Sequence, residues 1–374
     1  PPAPPPPPPP RRRRPPPRRR AGERDRERPA PVTATLHTDA PAASPPGDPA
    51  PAGAAGRAPL APVRLRGFGG ALPARRITND DLAAVLDTSD EWIAGRTGIR
   101  ARHHAEAETT ASLATGAARR ALDDAGVVAG DVDLLVVATS TPDTPCPATA
   151  ARVAAELGIT GGAFDLNGAC TGFVHALVTA AAHLTVTGAR TALVVGADRF
   201  RSLVDPTDRS TAVLFGDGAG AVVVTAAAAG PGAPGILAVP LAGDPGGTEV
   251  LEVPAGRPWL AMDGPELFRR AVRALVDSGR RVLDDAGVEP GEVDLYLPHQ
   301  ANARIVAAAA DRLGIPADRV VYDMAERANT SAASIPLALA DAVAAGRLRP
   351  GGHLLLSAIG AGLGWGSLHL RWDR

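Results

Sequence analysis

Leu122-Asp123-Asp124-Ala125-Gly126 returns 161 residues later as Leu283-Asp284-Asp285-Ala286-Gly287. At the same offset Asp131-Val132-Asp133-Leu134 returns as Glu292-Val293-Asp294-Leu295, and Leu193-Val194-Val195 falls on Leu354-Leu355-Leu356. One such match in an Ala/Asp-rich chain means little. Several matches at one offset and in one order mean that an α/β unit is present twice. Helix and strand patterns alternate around each copy. Residues 63–69 alternate as a strand ending in glycines. Asn79-Asp80-Asp81-Leu82 opens a helix at a capping residue, and Thr88 or Ser89 caps another that enters through Trp92. A helix over residues 110–124 is closed by Gly126, and Leu134–Ala138 reads as a buried strand. The pattern predicts a layered α/β fold, helices packed on sheets. Its halves are expected over residues 61–229 and 230–374.

Inside the first copy lies Asp165-Leu166-Asn167-Gly168-Ala169-Cys170-Thr171-Gly172-Phe173. A strand-like run over Gly162–Leu166 leads into a turn of small residues and one cysteine. Phe173, Leu177, Ala180, Ala181 and Leu184 then recur at helical spacing. Cys170 is thus expected at a strand-to-helix turn. Unpaired N–H groups and the helix dipole favour a thiolate there, and the thiolate is the nucleophile. The offset carries Gly168 onto Asn329, Cys170 onto Ser331 and Ala138 onto His299. If the copies pack about a pseudo-twofold axis, Cys170, His299 and Asn329 meet in one pocket.

These three residue types suit acyl transfer. Cys170 would attack a thioester carbonyl while backbone N–H groups of the turn hold the oxyanion. His299 and Asn329 would donate hydrogen bonds to a second thioester oxygen and stabilise an enolate, each donor typically worth ~3–4 kcal/mol. The same types describe a cysteine protease. Duplicated α/β halves do not suit a papain-like fold, however, and His299 follows Pro298 at a strand end.

Composition narrows the classes. The 374 residues allow two domains or one large double-layered one, and all 39 basic Lys+Arg positions are arginine. Schiff-base lysines and the P-loop lysine are therefore excluded. Two cysteines, Cys146 and Cys170, are too few for a disulfide framework or a structural zinc. A reducing cytoplasm is the expected compartment. No apolar run approaches the ~18 residues of a membrane span, so no membrane role is expected. His103-His104 has no acidic or thiol partners at ligand spacing and reads as a loop, not a metal site. Residues 1–60 are Pro, Ala and Arg with almost no large apolar side chains, and are expected to be a disordered tail. The first 30 residues carry a net +7, which leaves −8 for the rest. An acidic body argues against nucleic acid as a partner. Phe215-Gly216-Asp217-Gly218-Ala219-Gly220 runs into a strand rather than a helix, so its glycines read as tight-turn residues and not as a phosphate loop.

Three motifs carry a resemblance. Asn167-Gly168-Ala169-Cys170-Thr171-Gly172-Phe173, Pro298-His299-Gln300-Ala301-Asn302 and Asn329-Thr330-Ser331-Ala332-Ala333-Ser334 resemble the signatures of β-ketoacyl-acyl-carrier-protein synthase III, in the thiolase superfamily. Arg96-Thr97-Gly98-Ile99-Arg100 and Gly364-Trp365-Gly366-Ser367 are similar to further motifs of that family. The resemblance implies a five-layered α-β-α-β-α homodimer. Its expected reaction condenses an acyl-CoA primer with malonyl-acyl carrier protein and needs no cofactor or metal. It implies Cys170 as the acylated nucleophile and His299 with Asn329 as the decarboxylating pair. The backbone N–H groups of Cys170 and Ala361 are implied as oxyanion donors. Trp92, Arg96 and Arg209 match residues that hold coenzyme A, with Asn302 along the pantetheine path. Arg269, Arg304 and Arg312 match basic positions that meet the carrier protein. Cys146 and Ile359 match the acyl pocket, where Cys146 replaces a bulkier residue and implies a primer larger than acetyl. Ala361 stands where the family pattern has glycine, and fits only if its φ stays negative or mild strain is accepted. Two other readings are open: a starter-unit ketosynthase or acyltransferase of polyketide or other secondary metabolism with the same cysteine, and an inactive partner subunit, which retention of all three polar residues speaks against.

Overall fold

The computed structural model describes residues 60–230 and 232–374. The expected disordered tail lies outside the described residues apart from Leu60.

The first half runs β1 (Val63–Ala71), β2 (Arg75–Thr78), α1 (Asn79–Ala83), α2 (Asp90–Thr97), β3 (Ala101–His104), α3 (Thr110–Ala125), β4 (Leu134–Ala138), α4 (Thr149–Leu157), β5 (Gly162–Leu166), α5 (Gly172–Thr187), β6 (Thr191–Arg199), α6 (Arg209–Ala212) and β7 (Asp217–Ala226). The second runs β8 (Gly235–Ala238), β9 (Leu241–Gly243), β10 (Leu251–Glu252), β11 (Ala261–Met262), α7 (Gly264–Ala286), β12 (Val293–Pro298), α8 (Ala303–Leu313), α9 (Met324–Arg327), α10 (Ser334–Ala344), β13 (His353–Gly360) and β14 (Gly364–Arg371).

The repeat seen in the sequence is a repeat of topology. The first sheet has the order β1-β7-β6-β4-β5, and the second has β8-β14-β13-β12, with β9 also pairing β14. In each, the strand before the site pairs in parallel with its neighbour, β4 with β6 and β12 with β13. In each, the next strand returns antiparallel, β7 on β6 and β14 on β13. Where the first sheet has β5, the second has only a parallel bridge between Tyr296 and Val320.

Three apolar cores define the layers. Leu113, Ala117 and Ala121 of α3 and Val153 of α4 pack on one face of the first sheet. Phe173, Leu177 and Ala181 of α5, with Ile335 and Leu339 of α10, fill the space between the sheets. Val272, Leu275 and Leu283 of α7, with Val306 and Leu313 of α8, cover the outer face of the second sheet. The result is the five-layered α-β-α-β-α, thiolase-like arrangement. Its buried strands read as continuous Val/Leu/Ala runs because helices cover both faces. The segment Ala169–Thr187 is long and apolar enough to cross a membrane by composition, yet its apolar residues pack between the two sheets.

Local expectations are met with three differences. Ser89 caps α2 by accepting from Trp92 N at 3.1 Å, and α3 ends at Gly126, φ 63°. The cap of α1, however, is Thr78, whose hydroxyl accepts from Asp81 N at 3.1 Å. Asn79 lies inside that helix, where its buried amide donates to Ile99 O at 2.7 Å. Gly218 and Gly220 belong to β7 rather than to a turn, and neither has positive φ. Their role is close approach: a Cβ on Gly220 would lie 2.7 Å from Leu337 N of α10. His103 and His104 are on β3, not in a loop, with His103 Nδ1 2.7 Å from Pro73 O.

Candidate active site

Cys170 sits where the chain leaves β5 and enters α5, on the short turn Ala169–Thr171. That turn is held by Thr171 N and Thr171 Oγ1, which donate to Gly168 O at 3.0 and 2.6 Å. Ala169 takes φ 47°, a left-handed conformation costly for alanine. From the other half, Gly360 at the tip of β13 closes on the turn. A Cβ there would stand 2.8 Å from Cys170 N, so only glycine fits.

The histidine comes from the end of β12. His299 N donates to Ser357 O at 2.8 Å, which extends the ladder one residue past the strand. The next side chain anchors the loop: buried Gln300 donates to Pro298 O at 2.7 Å and accepts from Asp323 N at 2.7 Å. Asn329 is set by a bridge to Phe215, and its Oδ1 accepts from Ser331 N at 2.8 Å. With the oxygen so used, the carboxamide NH₂ is the group left to donate outward.

Cys170, His299 and Asn329 line one cavity of about 130 Å³. At ~10–15 Å³ per water, this is room for a thioester arm. Apart from Asn302 the remaining wall is apolar, with Leu214, Met262, Phe268, Leu275, Ile305 and Ile359 among the lining side chains. All three polar residues are nearly sealed, with 5%, 3% and 5% exposure. Burial therefore rules their chemistry. It pushes the Cys170 thiol up to about 12, opposed by hydrogen bonds from Ser331 and Asn329 and reinforced by the Asp198 carboxylate. The helix-end effect expected from sequence is outweighed, because desolvation of a buried anion exceeds the stabilisation that one helix terminus provides. Burial also holds His299 down at about 4, so its ring is neutral at pH 7. Neither His299 nitrogen has a hydrogen-bond partner among the described residues.

The other expected positions fall out as follows. Ile359 and Asn302 line the cavity, and Asn302 also caps α8 by accepting from Arg304 N at 2.9 Å. Two guanidinium groups lie over the Trp92 ring, Arg209 at 4.8 Å and Arg96 at 5.3 Å from its centre. Arg304 lies 5.7 Å from the ring of Phe268, a cavity residue, and Arg269 is exposed next to it and paired with Glu266. Arg312 is exposed near the end of α8. Ala361 is half-buried and keeps a negative φ, as alanine requires there. Cys146 does not reach the cavity of its own chain: it is exposed, in the loop before α4. Among the described residues no group of three or more His, Cys, Asp or Glu is placed to hold a metal. Two polar residues beside the nucleophile went unassigned from the sequence. Ser331 Oγ accepts from Cys170 Sγ at 3.6 Å, and Asp198 is fully buried behind it.

Family models described as "3-Oxoacyl-[acyl-carrier-protein (ACP)] synthase III" and its C-terminal part match residues 164–245 and 283–372, which contain all three residues. A β-ketoacyl-[acyl-carrier-protein] synthase III of Neisseria meningitidis serogroup C is 47% identical over 317 residues, 83% of this chain and 99% of that one. The chain belongs to the β-ketoacyl-[acyl-carrier-protein] synthase III family. A synthase III of Bordetella petrii is 50% identical over 318 residues, 82% and 97% of the two chains. The crystal structure of 3-oxoacyl-[acyl-carrier-protein] synthase III from Aquifex aeolicus VF5 superposes with a TM-score of 0.80 at 43% identity, over 83% and 100%. The chain is accordingly a condensing acyltransferase.

Proposed function

We propose that the synthase starts fatty acid biosynthesis by condensing an acyl-CoA primer with malonyl-acyl carrier protein, releasing CoA and CO₂. The observation that carries this reading is the meeting of Cys170, His299 and Asn329, from both halves of the chain, on one apolar cavity. Cys170 takes the acyl group in a first half-reaction. The N–H groups of Cys170 and Ala361 hold the oxyanion. His299 and Asn329 then donate to the malonyl thioester oxygen as carbon dioxide leaves, and a neutral imidazole with both nitrogens free suits that task. No step calls for a cofactor or metal.

Around this centre the Trp92, Arg96 and Arg209 stack receives the adenine end of CoA, and Asn302 contacts its pantetheine. Exposed Arg269, Arg304 and Arg312 receive the acidic carrier protein and its phosphate. Residues 61–229 supply the nucleophile and residues 230–374 the decarboxylating pair. Two free thiols and thioester substrates suit a cytoplasmic enzyme. A homodimer is supported by β5, an edge strand with an open hydrogen-bonding side and Phe164 39% exposed. If Cys146 lines an acyl pocket, it does so in the second copy. Ile359, aliphatic rather than aromatic, supports a primer longer than acetyl. The presence of all three polar residues at one cavity speaks against an inactive partner subunit.

The test is intact-protein mass after incubation with acyl-CoAs of two to eight carbons. One acyl group should add to the native protein and none to Cys170→Ala. An adduct that survives in Cys170→Ala, or none with any primer, would sink this reading.

A further inference from the structure

The nucleophile has a proton to lose and no exposed base to take it. His299 shares the cavity but makes no hydrogen bond to the sulfur. The S–H group points instead to Ser331 Oγ, 3.6 Å away, in the other half of the chain. Ser331 is the counterpart of Cys170 at the 161-residue offset, and it is held at φ 52°, facing the equally strained Ala169 at 47°. Non-glycine residues keep such angles only where the surroundings enforce them, most often at functional sites.

Behind Ser331 lies Asp198, the last buried residue of β6, with 0% exposure. Its Oδ1 accepts from Ser140 N at 2.8 Å, Thr141 Oγ1 at 3.0 Å and Thr139 Oγ1 at 3.2 Å. Its Oδ2 accepts from Ala332 N at 3.1 Å, and the Ser331 hydroxyl beside it opposes the upward push that burial gives the carboxyl. The aspartate thus spans the loop after β4 and the loop before α10, one from each half. The titratable groups around it are Cys170, His299 across the cavity, and Arg199, which turns away to Asp143 at 3.3 Å.

Charge conservation assigns this chain of contacts a task. If the thiol lost its proton to bulk water, two anions would stand close together in a sealed site, which is strongly disfavoured. If the proton passes inward, the cluster holds one negative charge before and after. We propose that Asp198, acting through Ser331, takes up the Cys170 proton during acylation. The Sγ proton moves to Ser331 Oγ as the Ser331 proton moves to an Asp198 oxygen. The sulfur forms its bond to the acyl carbon, the carbon–sulfur bond to CoA breaks, and the departing CoA sulfur recovers the proton by the same route. Acyl-CoA plus thiol gives acyl-cysteine plus CoA thiol, with the carboxylate restored. Ser331 touches the reacting atom; Asp198 is a positioning residue that acts through it.

The inference rests on the proposed role of Cys170, and the experiment separates the two. Acylation by acetyl-CoA and hexanoyl-CoA is followed by intact mass from pH 6 to 9 for the native synthase, Ser331→Gly, Ser331→Ala and Asp198→Asn. The native rate should be nearly flat across pH 6.5–8.5. The variants should acylate about 100-fold more slowly at pH 7, the usual scale for losing a proton acceptor, and gain about tenfold per pH unit as bulk hydroxide takes over. Variants within twofold of native with the same pH profile would overturn the relay. So would an Asp198→Asn that acylates faster at pH 7, because the carboxylate would then merely oppose the thiolate. If Asp198→Asn melts below the assay temperature, Ser331→Gly decides alone, since glycine accepts φ 52° without strain. A native protein that takes no acyl group defeats the parent reading instead.

Discussion

His299 is uncharged at pH 7, because burial holds its proton affinity far below that of an exposed imidazole. His299→Ala should therefore leave acylation of Cys170 intact and lower condensation by about 10²–10³. Mass addition with acyl-CoA and release of labelled CO₂ from malonyl-acyl carrier protein separate the two, and a collapse of acylation would show that the roles are divided wrongly. The same burial sets a pH dependence of stability. The unfolded chain protonates this histidine near 6.5 and the folded one near 4. The unfolded state thus binds more protons between these values, and the contribution present above pH 6.5 is lost as pH falls toward 4. Denaturant midpoints should fall over that window, and less so in His299→Ala. Cysteine, histidine and asparagine were legible in the sequence because the repeat aligns their loops. Ser331 was placed opposite Cys170 by the same offset, but its contact with the sulfur was not legible, and Asp198 has no counterpart motif to mark it. A charged residue ending the apolar run of β6 was the one available hint.

At the scale of elements, the loop that carries Asn329 and Ser331 lies directly on β6. A Cβ on Gly196 would stand 2.1 Å from Ala332 O, and backbone cannot yield cheaply. Gly196→Ala should push that loop outward, cost about 1–3 kcal/mol in denaturant titration, and slow condensation far more than its stability loss explains. An unchanged unfolding midpoint would show that the loop has slack. Strand and helix bounds were readable wherever apolar periodicity and caps coincide, as in β4, β5 and α3. The glycines of β7 were misread as a turn because a Gly-rich run looks alike whether it bends or lies straight beneath α10. Only the neighbour it touches distinguishes the two.

At the scale of the whole molecule, the sequence repeat announced a duplicated α/β unit, and the family resemblance supplied the five layers. The position of Cys146 was not foreseeable, because a residue can be assigned to a pocket by motif and still belong to a neighbouring copy's surface. Phe164→Asp tests that geometry. It should convert a sedimenting dimer to monomer, and a native protein that sediments as a monomer would remove the reason for placing Cys146 near a second cavity. The Cys170 turn is braced by Ser331 and Gly360, which lie far downstream on the chain. During synthesis that turn therefore stays without both braces until the residues of β13 have left the ribosome.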